Sequence, residues 1–157
     1  MSQKYVIVHF IKPVEPKYSF SHKKWPLHIT LVPNFVISDS IEELTNNLDE
    51  VSHSIKPFGI QRGDDENFGP NGEVLVSLIK SEADILSLHS KLLAITKSYE
   101  FDTPQYIGEG YRPHATKQTD NQLIYGESYL VNSITLVDMY PNNDIERREV
   151  VKTFFFN

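Results

Sequence analysis

Strand-like runs in this chain mostly follow other strand-like runs, and that ordering limits the folds open to it. "KYVIVHFI" (residues 4–11), "LHITLV" (27–32), "FGIQRG" (about 58–62) and "EVLVSLIK" (73–80) are rich in β-branched and aromatic residues. So are "SYLVNSITLVDMY" and "VVKTFFF" near the end, with "PNNDIER" as the turn between them. "RPHATKQ" is shorter and more polar, as an edge-like strand would be. Only two segments have helical periodicity. Ser38-Asp39-Ser40 opens the first, with Ser40 and Glu43 spaced as a capping box, Ile41, Leu44, Leu48, Val51 and Ile55 as one apolar stripe, and Pro57 as the stop. The second starts near Glu82, with Ser81 and Asp84 spaced as a cap and Ile85, Leu88, Leu92 and Ile95 on one face. About seven strands and two helices in this order predict an α+β fold with antiparallel sheets rather than βαβ alternation. Between the third and fourth strands, "GDDENFGPNG" predicts a hairpin with a mobile tip. No linker or low-complexity tract divides the chain, so residues 1–157 are read as one domain.

Composition narrows the chemistry. The 157 residues are 39% hydrophobic and 23% charged, a globular balance. No apolar run approaches the roughly eighteen residues that span a bilayer, and the apolar run near the start is too short and poorly flanked for a signal peptide. A cytoplasmic protein without membrane association is expected. Cysteine is absent, which excludes disulfides, thiolate catalysis and Cys-ligated zinc. The net charge of −6 argues against a partner such as long duplex nucleic acid, whose binding rests on neutralising many phosphates. A small phosphate-bearing ligand needs only a local cluster of donors. Lys23-Lys24 ahead of residue 28, and Arg112 with Lys117 around residue 114, are such clusters.

Two of the strands carry the same pattern. "WPLHITLV" contains His28-Ile29-Thr30, and "YRPHATK" contains His114-Ala115-Thr116, each with a proline just upstream. Side chains two apart on a strand share a face. His28 therefore projects beside Thr30 and His114 beside Thr116, while Ile29 and Ala115 turn toward the core. Arg112 falls on the His114 face as well, and Lys117 alternates away from it. Six histidines and eight threonines in a chain this long give roughly 0.3 His-x-Thr matches by chance, so two are unexpected. Brought together, two imidazoles that ionise near neutral pH can act as a general base and a general acid. The two hydroxyls and the guanidinium suit phosphate oxygens, where charge builds in the transition state. Such a scheme requires no metal and no cofactor.

On these two motifs, "HITL" at 28–31 and "RPHAT" at 112–116, the chain resembles the 2H phosphoesterase superfamily, in particular its LigT-like branch of 2′-5′ RNA ligases and cyclic nucleotide phosphodiesterases. The opening strand, the helix–hairpin–helix order and the overall length extend the likeness over nearly the whole chain. The resemblance implies a bilobal α+β domain of two intertwined lobes. Two antiparallel sheets with pseudo-twofold symmetry would line a central cleft, with the helices outside. It implies metal-independent chemistry on a 2′,3′-cyclic phosphate or a 2′-5′ linkage. His28 and His114 would then be the acid/base pair and Thr30 and Thr116 the phosphate-binding hydroxyls; Arg112, from its face, and Tyr111, from its place beside the second motif, are further substrate-binding candidates. Which histidine is the base stays open. "KQTDN" after the second motif departs from the family, where an apolar residue is commoner after the threonine.

The expected partner is a small phosphate-containing substrate or a short RNA end, bound by a monomer. Two other readings fit the same residues: a non-catalytic RNA- or nucleotide-binding module, and the same chemistry aimed at a non-RNA cyclic phosphate. Trp25, Phe68 and Tyr111 are candidates for stacking on a base. His9, His22, His53 and His89 show no partnered pattern. His53 and His89, on the predicted helices, are read as surface residues, and no ligand spacing supports a His-only zinc site.

Overall fold

The computed structural model describes residues 2–80, 83–118 and 121–157. Their elements are β1 (Gln3–Phe10), β2 (Ser19–Ser21), β3 (His28–Ile37), α1 (Glu42–Ser52), β4 (Phe58–Phe68), β5 (Val74–Lys80), α2 (Ala83–Thr96), β6 (Glu100–Phe101), β7 (His114–Thr116), β8 (Ser128–Val131), β9 (Ser133–Asp138) and β10 (Arg147–Phe155). Nine strands form one curled path in the order β2-β10-β9-β1-β3-β7-β5-β4-β8, with β6 pairing β3 at the side. Every pairing between them is antiparallel. The two antiparallel sheets expected are joined into one here: their halves meet at the centre of this path, where β3 and β7 touch through a single register pair, Ile29 opposite Ala115.

One face of the sheet carries the larger core. Ile29, Leu31, Phe35 and Ala115 are buried in it with Leu44 and Leu48 of α1 and Ile85, Leu88 and Leu92 of α2. Burying each of the larger side chains contributes about 2 kcal/mol of transfer free energy. This is the alternation expected of Ile29 and Ala115, and of the two helical stripes. The opposite face holds a smaller apolar cluster of Val6, Val8, Phe10, Phe20, Val137 and Val150, with Trp25 packed against it.

Several boundaries differ from the sequence reading for local reasons. "SYLVNSITLVDMY" is two strands. β8 pairs β4, whereas β9 pairs β1 and β10, so the chain crosses from one half-sheet to the other at Asn132. β3 continues through Pro33, which lies where β3 has an extra residue relative to β1, a position where the missing N–H costs no ladder bond. Most of the predicted hairpin tip is strand: β4 runs to Phe68, with an irregularity between Arg62 and Asp65, and the turn narrows to the positive-φ glycines Gly69 and Gly72. At α1, Ser40 Oγ accepts the amide of Glu42 rather than that of Glu43. The helix ends at Ser52, whose hydroxyl bonds back to Leu48, well ahead of Pro57. The expected cap of α2 at Ser81 and Glu82 lies outside the described residues.

Candidate active site

The register pair Ile29–Ala115 decides the geometry of the site. In an antiparallel ladder, the neighbours of an opposed pair are themselves opposed. His28 therefore stands across from Thr116, and Thr30 across from His114. Ile29 and Ala115 point into the core, so all four polar side chains project from the other face as one quartet. Phe10 lies opposite His28 on β1, and Leu78 opposite His114 on β5.

The two imidazoles are anchored alike. His28 Nδ1 lies 2.8 Å from the carbonyl oxygen of Pro26, and His114 Nδ1 lies 2.7 Å from that of Arg112. A carbonyl only accepts, so Nδ1 carries the hydrogen in both rings. Each Nε2 is thereby left free to accept or give a proton, which is the requirement for acid/base work.

Their surroundings differ. Trp25 lies 4.7 Å from the His28 ring, centroid to centroid, and Phe10 lies 6.0 Å from it. Burial drives the pKa of His28 down to about 4, partly offset by the Pro26 hydrogen bond, with repulsion from His114 adding to the fall. Phe68 packs edge-on to His114 at 4.6 Å. Burial lowers the His114 pKa too, and the nearby Arg112 charge lowers it further against the bond to the Arg112 carbonyl.

Arg112 sits at the rim, with its guanidinium 2.6 Å from the Glu66 carboxylate and above the Phe68 ring. Sequence reasoning missed Glu66, because "GDDENF" reads as loop. In strand register Glu66 pairs with Val76, which pairs with Thr116, so the carboxylate shares the quartet's face. Lys117 turns away, as alternation predicts, and pairs with Asp65 at 2.7 Å.

Tyr111 is enclosed, only 9% exposed. Its ring stacks on His89 at 3.9 Å and its hydroxyl donates to the Thr30 carbonyl at 2.7 Å, so it meets the quartet through the backbone of β3. His89 is not the surface residue expected: it is 2% exposed. Its Nε2 accepts the Gly108 amide, which fixes the hydrogen on Nδ1, and that group donates to the Leu31 carbonyl. Burial lowers its pKa and keeps the ring neutral. One neutral imidazole thus ties α2, β3 and the segment leading to the second motif. His9 is also buried, with Nδ1 on the Ser133 carbonyl, whereas His53 is exposed. Among the described residues, no group of three His, Cys, Asp or Glu side chains is placed to hold a metal ion, and no helix is long and apolar enough to cross a membrane.

A strand-borne pair of His-x-Thr motifs meets at the centre of a curled antiparallel sheet, and both the sequence and this fold have known counterparts. The model of the 2′-5′ RNA ligase superfamily matches residues 6–124, and the chain belongs to that superfamily. Among solved structures, TT0787 of Thermus thermophilus is similar over 98% of this chain and 97% of its own, at 16% identity and a TM-score of 0.62. A protein described as a phosphoesterase covers 99% of both chains at 16% identity and a TM-score of 0.60. E. coli LigT complexed with 3′-AMP covers 100% of this chain and 99% of its own, at 16% identity and a TM-score of 0.59. No curated protein sequence matches the chain significantly. The fold is that of LigT and related phosphoesterases.

Proposed function

We propose that this protein is a metal-independent phosphodiesterase that opens 2′,3′-cyclic phosphates, or cleaves 2′-5′ linkages, on nucleotides or short RNA ends. The observation that carries this reading is the Ile29–Ala115 register, which faces two Nδ1-anchored imidazoles and two hydroxyls at one point. Thr30 and Thr116 donate to the non-bridging phosphate oxygens, with Arg112 at the rim as a further donor. His28, neutral because burial holds its pKa near 4, serves as the base. Its Nε2 takes a proton from water as the water oxygen bonds to phosphorus. His114 must carry a proton, which its lowered pKa favours only on the acid side of pH 6.5, and it gives that Nε2 proton to the departing ribose oxygen as the phosphorus–oxygen bond breaks. The product is a phosphomonoester with a free neighbouring hydroxyl. His28 leaves the cycle protonated and His114 neutral, and exchange with solvent restores both. With a 5′-hydroxyl in place of the attacking water, the same sequence ligates: the 5′-oxygen bonds to phosphorus as the ribose oxygen departs with the proton from His114.

The test is turnover of nucleoside 2′,3′-cyclic phosphates with EDTA present. His28→Ala and His114→Ala should each lower kcat about 10²- to 10⁴-fold, the usual worth of one positioned acid or base, with the circular dichroism spectrum unchanged. Turnover retained at the wild-type rate in both variants would overturn the assignment. Binding without product in the wild type would instead favour a nucleotide-binding module, and turnover confined to non-RNA cyclic phosphates would redirect the substrate.

A further inference from the structure

A cavity of about 720 Å³ opens where the quartet ends. It adjoins the site from both motifs. Trp25, in contact with His28, and Pro26, whose carbonyl holds the His28 ring, line it from one side. Gln118, two residues beyond Thr116, lines it from the other.

Its charge is the reverse of the whole chain's. The chain carries −6, yet Lys23, Lys24 and Arg147 line this cavity, and no carboxylate does among the described residues. None of the three cations belongs to an ion pair among the described residues. Three like charges around one concavity repel one another unless an anion enters. Arg147 is already oriented, with Nε and Nη2 at 3.3 and 3.0 Å from Ser19 Oγ. Tyr18, 47% exposed, is stacked on Phe20 and offers its ring at the same opening. Cations beside an open aromatic face suit a nucleotide phosphate and its base.

We infer that this cavity binds a second phosphate of the substrate, so that a substrate with a further phosphate beyond the scissile one is preferred over a bare nucleoside cyclic phosphate. The inference rests on the phosphodiesterase reading above and extends it to substrate choice. The second phosphate has two sources: a 5′-phosphate on the same nucleotide, or the phosphodiester joining an upstream nucleotide.

The experiment uses three substrates: a nucleoside 2′,3′-cyclic phosphate, the same nucleotide carrying a 5′-phosphate, and a dinucleotide ending in the cyclic phosphate. The enzymes are wild type, Lys23→Ala/Lys24→Ala and Arg147→Gln. Wild type should favour one of the two longer substrates about tenfold in kcat/KM at low salt, as one or two charge-assisted phosphate contacts allow. The substrate that gains identifies the source. The variants should lose that advantage while hydrolysing the bare cyclic nucleotide as well as wild type. The salt dependence of kcat/KM should flatten by about 0.7 in log–log slope per contact removed. A wild type without preference, or a preference the variants keep, would overturn the inference and leave the phosphodiesterase reading intact. If wild type hydrolyses none of the three, that reading fails and binding decides the cavity. The probe is then a fluorescein-labelled trinucleotide ending in a 3′-phosphate: weaker binding by the variants supports the second-phosphate site, and equal binding refutes it.

Discussion

His28 should make the folded protein more acid-sensitive than its carboxylates alone would. In the unfolded chain its pKa is about 6.5, and in the folded protein burial holds it at about 4. As pH falls below 6.5 the unfolded state takes up a proton that the folded state refuses, so stability is lost through that window and the loss levels off near pH 4. Each pKa unit is worth about 1.4 kcal/mol. At pH 4.5 the unfolded state lies about two units below its pKa while the folded state is mostly neutral, which sets a ceiling near 2.5 kcal/mol. The ring keeps some contact with solvent, and screening brings the expected effect to about 2 kcal/mol. The perturbation is His28→Gln, which cannot titrate. Urea unfolding of both proteins from pH 7.5 to 4.5 at constant ionic strength would read it. Packing lost against Trp25 and Phe10 lowers the variant's stability at every pH, and the remaining groups are common to both proteins, so only the difference between the curves counts. Wild type should lose about 2 kcal/mol more than the variant, with the gap opening below pH 6.5. Parallel curves, or a steeper loss in the variant, would refute the burial argument.

Three further outcomes are expected. If His114 is the acid in the free enzyme, its lowered pKa makes kcat/KM for cyclic phosphate fall about tenfold per pH unit above its pKa, with the limb beginning below pH 6.5; Arg112→Gln, by removing a neighbouring positive charge, should move that limb upward. Replacing His89 with Leu strands the Gly108 amide and the Leu31 carbonyl and should cost about 2–3 kcal/mol in denaturant unfolding. His89→Gln, which can donate to one and accept from the other, should recover more than half of that. Glu66→Gln frees Arg112 from a half-exposed ion pair, so stability should change by less than about 1 kcal/mol, while steady-state kinetics should show a lower KM at unchanged kcat because no carboxylate competes for the guanidinium.

The quartet was legible because strand alternation is local: two residues apart means one face, and each motif carries its own apolar residue for the core. The antiparallel α+β class followed from strand runs that adjoin one another. What could not be read was anything set by long-range pairing. Glu66 reaches the site only because β4 extends through a segment whose Gly, Asp and Asn content resembles a loop, and the same extension sets Phe68, already a stacking candidate, against His114. Their D-E-N-F alternation was the available signal. His89 reads as exposed because a polar residue on a helix normally faces water. Its burial depends on two backbone groups, at Leu31 and Gly108, that no helical pattern can foretell. The break at Asn132 is invisible for the same reason, since both halves of that run are good strand sequence and differ only in their partners.

Two equal motifs do not by themselves make a base and an acid, because equal rings in equal surroundings would titrate together. The strands supply the symmetry: the same register and the same carbonyl behind each Nδ1. The difference comes from what covers each ring. Trp25 and Phe10 enclose His28, whereas His114 meets the edge of Phe68 beside a charged Arg112. Of the two rings, the indole lies nearer the imidazole, at 4.7 Å against 6.0 Å. Trp25→Ala should therefore raise the His28 pKa from about 4 toward the ordinary 6.5. NMR titration of the imidazole C–H signals, assigned by comparison with His28→Gln, would follow it. The His114 signal should hardly move. A His28 pKa that stays near 4 without the indole would show that the strand environment, rather than the aromatic cover, divides the two roles.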